Sequence, residues 1–394
     1  MVSNPSILRV AILGAGPAGL FTAEELLRAK RPVAIELFER LPHPHGLVRY
    51  GVAPDHPNTR RIAALLDRTA AHPAVTLRLN VEVGRDISID QLRAQFDAVV
   101  VATGAEEDRS LGIPGEQLPG VHSSLSFAGW VNGHPDFAGA PIALDVETAV
   151  VIGNGNVALD IARLLARAPA ALRGTDIAPA ALAALERSRI KRLHVIGRRG
   201  PAQASFGENE IQEFGALPGV AFSMDPLVAF TSPADEKELA DPAADRARAV
   251  VHTLRELAGR GPNPEARVTI GFDFLRRPIG ISGAARVEGI TLELCRLEGE
   301  PGRQQAVPTG ALQRLPCGAI FAAIGHRGRP LPGLPFDPER GVIPTREHRV
   351  LDGDRLLKGV YAVGWIKRGA KGLIGHNRRD AMETVKILLA DHGG

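Results

Sequence analysis

The chain has 394 residues, of which 44% are hydrophobic and 23% are charged, and its formal net charge is +3. This composition is typical of a soluble globular protein with room for two domains. No apolar stretch reaches the ~18 residues that cross a bilayer, and the N-terminal residues lack the features of a secretory signal. We therefore expect a cytoplasmic protein with no integral membrane segment. The mild charge and the lack of a basic arm exclude a typical nucleic-acid-binding protein.

The chain contains two cysteines, Cys295 and Cys317. They are too few for an iron–sulfur cluster or a structural zinc site, and too far apart for a CxxC or CxxxxC redox pair. Cys295 lies in the apolar run ITLELCRL, which predicts a buried structural thiol. We expect no metal site, so any redox centre must be an added cofactor.

Short apolar runs that end in glycine alternate with helical patterns along the chain. The runs 8–13, 33–39 and 97–101 predict strands of one sheet. The same alternation of strands and helices begins again with strands at 149–152 and 192–197. The other predicted elements are helices at 14–30, 157–168, 177–187 and 376–390, a polar surface excursion at 232–247, and strands at 319–325 and 359–364.

Strands that alternate with helices predict an α/β fold with parallel sheets. Because this alternation of strands and helices occurs twice along the chain, we expect two Rossmann-like, three-layer nucleotide-binding domains. The first is expected to be discontinuous, formed by residues 1–105 and 330–394. The second, residues 106–329, is expected to be inserted into the first.

A GxGxxG turn follows the first strand and opens a helix. Gly14 permits the tight turn, Gly16 lets a pyrophosphate approach the backbone, and Gly19 lets helix and strand pack closely. The N-terminus of the helix offers unpaired N–H groups to the phosphates. Glu39, at the end of the next strand, is expected to accept hydrogen bonds from ribose hydroxyls, which suits FAD or NAD.

A second turn, of the form GxGxxA, spans Gly153–Ala158. After the following strand, Arg198 and Arg199 stand where an acid would bind the ribose 2′-OH. Two guanidiniums at this place can bind a 2′-phosphate, so this turn predicts NADP(H) rather than NAD. The helix at 177–187 accounts for the long spacing between the turn and the arginines.

A glycine-rich segment, Gly364–Gly375, precedes the C-terminal helix. Its glycines allow the backbone to approach a flat ring, and the helix N-terminus would stabilise negative charge on a reduced flavin. Trp365 is a candidate for packing on the ring, and core packing is its alternative. Two nucleotide sites on one chain predict electron transfer between two cofactors. Assigning the first site to FAD is chemically reasonable because a flavin accepts a hydride and releases electrons singly.

Five blocks together resemble the adrenodoxin-reductase-type ferredoxin–NADP reductases. They are GAGPAGL at 14–20, GLVRYGVAPDHP at 46–57, VIGNGNVALDIAR at 151–163, IGRRGPAQASF at 196–206 and VGWIKRGAKGLIG at 363–375. The resemblance covers nearly the whole chain in the same order. It implies an FAD-dependent oxidoreductase that passes hydride between NADPH and FAD and exchanges single electrons with a separate iron–sulfur protein.

The resemblance also implies which residues bind the cofactors. The expected FAD-binding residues are Gly14, Gly16, Ala18, Gly19, Glu39, Gly46, Leu47, Val83, Gly364, Trp365, Gly372, Leu373 and Ile374. The expected NADP-binding residues are Arg109, Asn154, Gly155, Asn156, Val157, Arg198, Arg199 and Glu210, with Gly372 near the nicotinamide. The chain departs from the family pattern near the expected flavin at His45, Lys371 and His376.

Hydride transfer depends mainly on the positions of the two rings, but a proton must be released afterwards as electrons leave one at a time. His56, Asp160 and Glu213 are candidates for handling this proton, and a histidine titrates near neutral pH. The alternative is that His56 orders a loop next to the flavin and Asp160 caps a helix or pairs locally.

The electron partner is expected to be an acidic, ferredoxin-type iron–sulfur protein, steered by the positive charge of this chain. Arg246, Arg248 and Arg255 are candidate contacts, and a solvated helix face is the alternative interpretation. We expect a monomer or a weak dimer.

Other enzyme classes share the two nucleotide-binding folds. A disulfide reductase needs a CxxxxC pair and a glutamate-synthase-like small subunit needs a cysteine-rich N-terminal module, and the sequence has neither. An NADPH diaphorase or a flavin monooxygenase stays open as an alternative. A non-catalytic flavoprotein would not need the pair Arg198 and Arg199.

Overall fold

The computed structural model describes residues 7–224, 233–261 and 263–393. The chain divides into two compact units. The first unit comprises the chain up to Val52, His56–Arg109 and the chain from Gly325 onward, and the second comprises Ala53–Asp55 and Ser110–Ile324. The first unit is thus discontinuous in sequence. The assignment of FAD to residues 1–105 and 330–394, and of NADP(H) to residues 106–329, stays a prediction.

Strands and helices alternate along much of the chain. The strands, in chain order, are β1 Leu8–Leu13, β2 Val33–Glu39, β3 Val75–Leu79, β4 Ala98–Val101, β5 Glu107–Asp108, β6 Val121–Ser123, β7 Thr148–Ile152, β8 Arg192–Ile196, β9 Val220–Met224, β10 Val268–Asp273, β11 Arg276–Ser282, β12 Gly289–Glu298, β13 Gln305–Pro316, β14 Ala319–Ala322, β15 His326–Arg327, β16 Thr345–Arg346, β17 Arg349–Asp352 and β18 Arg355–Ala362. The α-helices are α1 Pro17–Leu27, α2 Leu47–Tyr50, α3 Pro57–Arg60, α4 Ile62–Ala70, α5 Ile89–Gln95, α6 Ser124–Val131, α7 Asn156–Ala166, α8 Pro179–Glu186, α9 Glu208–Gly215, α10 Pro233–Ala240, α11 Asp245–Gly259, α12 Trp365–Arg368 and α13 Ile374–Asp391.

The first unit is built on a seven-stranded sheet of order β16-β17-β18-β4-β1-β2-β3. The strands from β18 to β3 are parallel, whereas β16, β17 and β18 pair antiparallel. Val10 and Ile12 of β1 pack into one hydrophobic cluster, and Ala11 and Leu13 pack into another. Because successive residues of a strand point to opposite faces, both faces of this sheet are covered, which gives three layers.

The second unit is built on a six-stranded parallel sheet of order β6-β14-β7-β8-β10-β9. Val151 packs into the core on one face, and Val150 and Ile152 pack into the core on the other. An antiparallel sheet of β11, β12 and β13 supplies Ile290 and Leu292 to the second core. The predicted α/β class and the two Rossmann-like folds are confirmed, with one outer layer that contains a β-sheet.

The polar segment 232–247 was expected to be a surface excursion, and among its described residues only Asp235 is buried, but the segment is largely helical. Ser232 lies outside the described residues, but α10 covers Pro233–Ala240 and α11 begins at Asp245. Most charged residues of the segment belong to these two helices, each of which has one buried face. Asp235 is buried in α10, and Val250 and Leu254 are buried in α11.

Cys295 and Cys317 are both buried and free, and the burial of Cys295 confirms the expectation for that residue. Burial raises the pKa of the Cys317 thiol to about 12, so this thiol stays protonated near neutral pH. Within the described part of the chain, no helix combines the length and the hydropathy that a bilayer-crossing segment needs.

Candidate functional site

The first glycine turn lies at the carboxyl end of β1 and leads into α1. Gly14 has a φ of +104°, and a Cβ on it would lie 2.6 Å from the carbonyl oxygen of Ala102. A Cβ on Gly19 would lie 2.0 Å from the oxygen of Gly14. In contrast, a Cβ on Gly16 would have Gly46 Cα, 3.9 Å away, as its nearest neighbour. The fold itself requires Gly14 and Gly19, whereas Gly16 leaves open space at the helix N-terminus, where a pyrophosphate fits.

Glu39 ends β2 beside this turn, and its side chain is buried. Its two carboxylate oxygens accept the backbone N–H groups of Ala15 and Leu41, each at 3.0 Å. Burial raises the pKa of Glu39, while these two N–H groups act to lower it. The carboxylate therefore braces the glycine turn, a role that the sequence did not indicate. Each oxygen keeps a further lone pair for the expected ribose hydroxyls.

His45, the first departure from the family pattern, is tied to the same turn. Its backbone N–H donates to the oxygen of Ala15 at 2.8 Å, and its φ is +86°. Its Nε2 lies 2.9 Å from a carboxylate oxygen of Asp67. Gly46 follows, and a Cβ on it would lie 3.2 Å from Gly16 Cα. The segment that begins at His45 thus lines the open space above Gly16.

The glycine-rich C-terminal segment lies at the same edge of the sheet. Gly364 has a φ of +78°, and a Cβ on it would lie 2.7 Å from the Cβ of Ala18 in α1. Trp365 is half-buried, and its indole N–H donates to the oxygen of Lys371 at 3.1 Å. Its ring centroid lies 6.2 Å from that of His326, nearly parallel to it. Trp365 is not a core residue, so a flat face could pack against it.

His376, another departure, caps the C-terminal helix. Its Nδ1 accepts the backbone N–H of Leu373 at 3.1 Å, and its own N–H donates to the oxygen of Leu373 at 3.1 Å. The side chain of Leu373 is 70% exposed. Of the remaining expected positions in this unit, Leu47, Val83 and Ile374 are half-buried, Gly372 and Lys371 are exposed, and Arg109 is exposed at the end of β5.

The second glycine turn connects β7 to α7 in the second unit. Gly153 has a φ of +139°, and a Cβ on Gly155 would meet no atom within 4 Å. Asn156 donates through Nδ2 to Glu210 Oε1 at 2.9 Å. The side-chain oxygens of Asn154 and Asn156 are buried and have no hydrogen-bond partner in the described part of the structure. Because buried polar atoms are normally paired, these oxygens point to a ligand-binding role for the turn.

Arg198 and Arg199 follow β8, as predicted. Neither guanidinium has a hydrogen-bond or ion-pair partner within the ranges that the structure describes. Arg198 is exposed, and Arg199 lines a cavity of about 320 Å³ together with Ser205 and Arg246. Val157, at the N-terminal end of α7, is 38% exposed. Unpartnered guanidiniums next to a cavity can bind a phosphate.

The three candidates for proton handling lie in different units. His56 is half-buried in the first unit, directly before α3, while Asp160 and Glu213 belong to the second unit. Asp160 forms an ion pair of 2.7 Å with Arg163, whose buried guanidinium also holds Asp55 through two hydrogen bonds of 2.9 Å. Local pairing, the alternative for Asp160, is what the structure contains. Glu213 lies on the exposed side of α9.

The arginines proposed to contact an electron partner use their donors within the second unit. Arg246 donates to the backbone oxygen of Ala204 at 2.7 Å, and Arg248 donates to that of Leu239 at 2.8 Å. Arg255 is exposed on α11. The first two side chains therefore have structural roles, which weakens the prediction that they contact a partner, although their charges still add to the field of this unit.

Comparison with known proteins identifies the family. The sequence profile of pyridine nucleotide-disulphide oxidoreductases matches residues 8–276. The chain is 40% identical to the mitochondrial NADPH:adrenodoxin oxidoreductase of Bos taurus, covering 97% of this chain and 78% of that protein. It is 42% identical to the NADPH-ferredoxin reductase FprA of Mycobacterium leprae, covering 98% and 85%. The chain belongs to the adrenodoxin-reductase-type pyridine nucleotide-disulphide oxidoreductases.

Solved structures agree with this membership in the adrenodoxin-reductase-type family. FprA of Mycobacterium tuberculosis in complex with NADPH has a TM-score of 0.92 and 39% identity, covering 98% of this chain and 85% of that chain. Thioredoxin reductase of T. acidophilum, with a TM-score of 0.54 and 17% identity, shares the fold alone. The chain is an oxidoreductase. It lacks the CxxxxC pair that a disulfide reductase of the same fold needs.

Sequence reasoning missed two features beside the glycine turns. The carboxylate of Glu39 braces the first turn. Thr103 Oγ1, in the Ala-Thr-Gly run after β4, is buried without a hydrogen-bond partner among the described residues. A Thr-Gly pair directly after a parallel strand was the available signal, since ligands bind at the carboxyl ends of such strands.

Proposed function

We propose that this chain is an FAD-dependent ferredoxin–NADP(+) reductase, with FAD in the first unit and NADP(H) in the second. The observation that carries the proposal is the contrast between the two glycine turns. Both leave open space at a helix N-terminus, but one is followed by a buried acid and the other by two guanidiniums that have no partner in the described ranges. The relatives named as NADPH:adrenodoxin and NADPH-ferredoxin reductases support the iron–sulfur partner.

FAD would supply hydride acceptance and one-electron release. In the first unit, Gly16 and the N-terminus of α1 would hold its phosphates, and Glu39 would hold the ribose. The N-terminus of α13, at the end of the glycine-rich segment, would stabilise negative charge there. In the second unit, Asn154 and Asn156 would hold the nucleotide, and Arg198 and Arg199 would select the 2′-phosphate.

Protons are handled by this chain's own residues. His56 is half-buried and lies directly before Pro57, which starts α3. Asp160 is paired with Arg163, so we assign it to holding the local structure. His56 is then the strongest candidate for the relay.

The direct test of this function is anaerobic. The purified protein should be yellow with bound FAD, and NADPH should bleach the flavin absorbance much faster than NADH does. The bleached protein should then reduce an artificial acceptor such as ferricyanide. A colourless protein that also fails to take up added FAD, or a flavin that NADH reduces as fast as NADPH, would contradict the proposal.

The partner, the compartment and the oligomeric state belong to the same proposal. The partner is an acidic ferredoxin-type iron–sulfur protein, the compartment is the cytoplasm, and the chain acts as a monomer or weak dimer. The formal charge of +3 supports electrostatic attraction of an acidic partner. Sedimentation of the purified chain tests the oligomeric state, and cell fractionation tests the compartment.

A further inference from the structure

Asp380 is a buried carboxylate in α13 that the family resemblance does not assign to any role. It accepts the backbone N–H of Gly364 at 2.7 Å and Nη1 of Arg368 at 2.6 Å, and it contacts the ammonium of Lys367. The residue is only 7% exposed. A carboxylate that is taken out of water needs such partners, so this cluster is a built structural feature and not a surface ion pair.

All three donors belong to one short segment, Gly364–Gly369, which contains α12. Ala362, the last residue of β18, is paired in register with Val101 of β4, and Val101 is paired with Leu13 of β1. The segment therefore begins at the carboxyl edge of the parallel sheet, where the first glycine turn also lies. This edge is where nucleotides bind in such sheets. The 2.7 Å from a Gly364 Cβ to the Cβ of Ala18 shows that the segment packs directly on α1.

The hydrogen bonds around Asp380 also connect to Trp365, the residue that is expected to face the flavin. Arg368 donates through Nη2 to Asn377 Oδ1 at 2.7 Å and through Nε to the oxygen of Lys371 at 3.2 Å. The indole of Trp365 donates to that same Lys371 oxygen at 3.1 Å. Because Asp380 also binds Arg368, the carboxylate, the guanidinium and the indole form one connected network.

The cluster is not a free metal site. His348, Asp380 and Glu383 bring ligand atoms within 4.8 Å of one another. However, Lys367 Nζ lies 2.8 Å from His348 Nδ1 and contacts Asp380, so an ammonium already neutralises the carboxylate. The carboxylate of Asp380 therefore accepts its hydrogen bonds from the segment Gly364–Gly369.

We propose that Asp380 is a positioning residue for the dinucleotide site of the first unit. It holds Gly364–Gly369 against the start of α1 and thereby fixes Trp365 at the flavin. This inference rests on the proposed function, since it takes FAD as the nucleotide of that site. The competing possibility is a purely structural tie between Gly364–Gly369 and α13, with no effect on the cofactor.

Asp391, in the same helix, supplies a matched control. Its carboxylate accepts two hydrogen bonds of 2.7 Å from Arg349 and one of 2.9 Å from the hydroxyl of Tyr361. It accepts as many hydrogen bonds as Asp380, but it lies at the C-terminal end of α13, and its partners belong to β17 and β18. Asp391→Asn removes the same charge from the same helix without touching Gly364–Gly369.

The experiment compares purified Asp380→Asn and Asp391→Asn with the wild type. FAD release from the holoenzyme is followed by free-flavin fluorescence, together with the flavin absorption spectrum and the melting temperature. We expect Asp380→Asn to weaken FAD binding by about ten- to hundred-fold, which is the worth of one to two charge-assisted hydrogen bonds, and to shift the spectrum. Asp391→Asn should lower the melting temperature and leave FAD affinity and spectrum as in the wild type.

Two results would overturn the inference: wild-type FAD affinity and spectrum in Asp380→Asn, or equal FAD loss in both variants. If Asp380→Asn does not fold, Arg368→Met replaces it, because the bond from Gly364 to Asp380 survives. A smaller loss of affinity with a spectral shift is then expected, and an unchanged spectrum refutes the proposal. A wild-type apoprotein that binds no FAD would instead refute the proposed function.

Discussion

Arg198 and Arg199 have no hydrogen-bonding or ionic partner in the described ranges, so their charges are available to an anion. We expect Arg198→Ala with Arg199→Ala to weaken NADPH binding by about ten-fold or more per guanidinium, since a charge-assisted hydrogen bond contributes about 1.5–3 kcal/mol. NADH binding should change little. The measurement is the ratio of kcat/KM for the two nucleotides. Arg187→Ala with Arg189→Ala removes the same charge from exposed positions of the same unit and should keep the wild-type ratio. An unchanged ratio in the first double variant would show that the pair does not read the 2′-phosphate.

Gly16 and Gly19 belong to one motif but face different constraints. A Cβ on Gly16 has free space, so Gly16→Val should fold, but its side chain should occupy the place of the pyrophosphate and abolish FAD binding. A Cβ on Gly19 would collide with the Gly14 oxygen, so Gly19→Val should lower the melting temperature even without FAD. Thermal melts of the apoproteins and FAD content after reconstitution separate the two effects. Full FAD content in Gly16→Val would contradict the placement of the nucleotide.

His56 is the residue through which we expect protons to leave. His56→Gln should slow steady-state turnover in a pH-dependent way, because an amide cannot exchange the proton. Single-turnover reduction of the flavin by NADPH should stay within a few-fold of the wild type, since hydride transfer needs only ring positions. Stopped-flow and steady-state rates between pH 6 and 9 provide the comparison. Turnover that is unchanged over this range would leave His56 with a structural role only.

Among the secondary-structure elements, β6 joins the sheet of the second unit by pairing with β14, and it contains a buried histidine. His122 Nε2 accepts the backbone N–H of Ala143 at 3.0 Å, and its ring packs 5.1 Å from that of Phe321 in β14. Burial lowers the pKa of His122 from 6.5 to about 4, because the charged form is poorly solvated there.

The sign of the resulting pH dependence follows from this shift. The unfolded chain binds the proton near pH 6.5 and the folded chain near pH 4, so folding stability falls as the pH drops through this window, by about 3 kcal/mol in total. His122→Gln keeps an acceptor for Ala143 but cannot titrate. Urea unfolding at pH 7 and pH 4.5 should therefore show a smaller acid loss in His122→Gln. His252→Gln, at an exposed position of α11, should retain the wild-type loss, and equal losses in both variants would exclude His122 as the source.

The strands beside the glycine turns could be predicted, whereas other elements could not. β1 and β2 match their predicted bounds because each is a short, mostly apolar run in which most residues are buried. In contrast, β13 is exposed along most of its length, so its sequence carries neither an apolar run nor a clear alternation. The antiparallel sheet that covers one face of the second unit was therefore missed. Helices α10 and α11 were missed because their polar faces dominate the local composition.

Contacts between residues far apart in the chain are the other part that sequence patterns do not contain. Arg163 pairs with Asp55 across 108 positions, and Asp380 holds Gly364 across the turn that precedes its helix. Nothing in the residue types at these positions indicates their partners. The glycine turns could be predicted because their glycines act locally, while the side chains that brace them depend on the folded structure.

For the molecule as a whole, our main conclusion is that electrons pass from NADPH through this chain to an iron–sulfur protein. The decisive test is the anaerobic reduction of cytochrome c by NADPH, with the chain present and an acidic ferredoxin added or omitted. We predict that the rate depends on the ferredoxin and falls as salt is raised, because salt screens the attraction between opposite charges. If NADPH reduces the bound flavin but an acidic ferredoxin neither accelerates cytochrome c reduction nor becomes reduced itself, the chain is a diaphorase and this conclusion is contradicted.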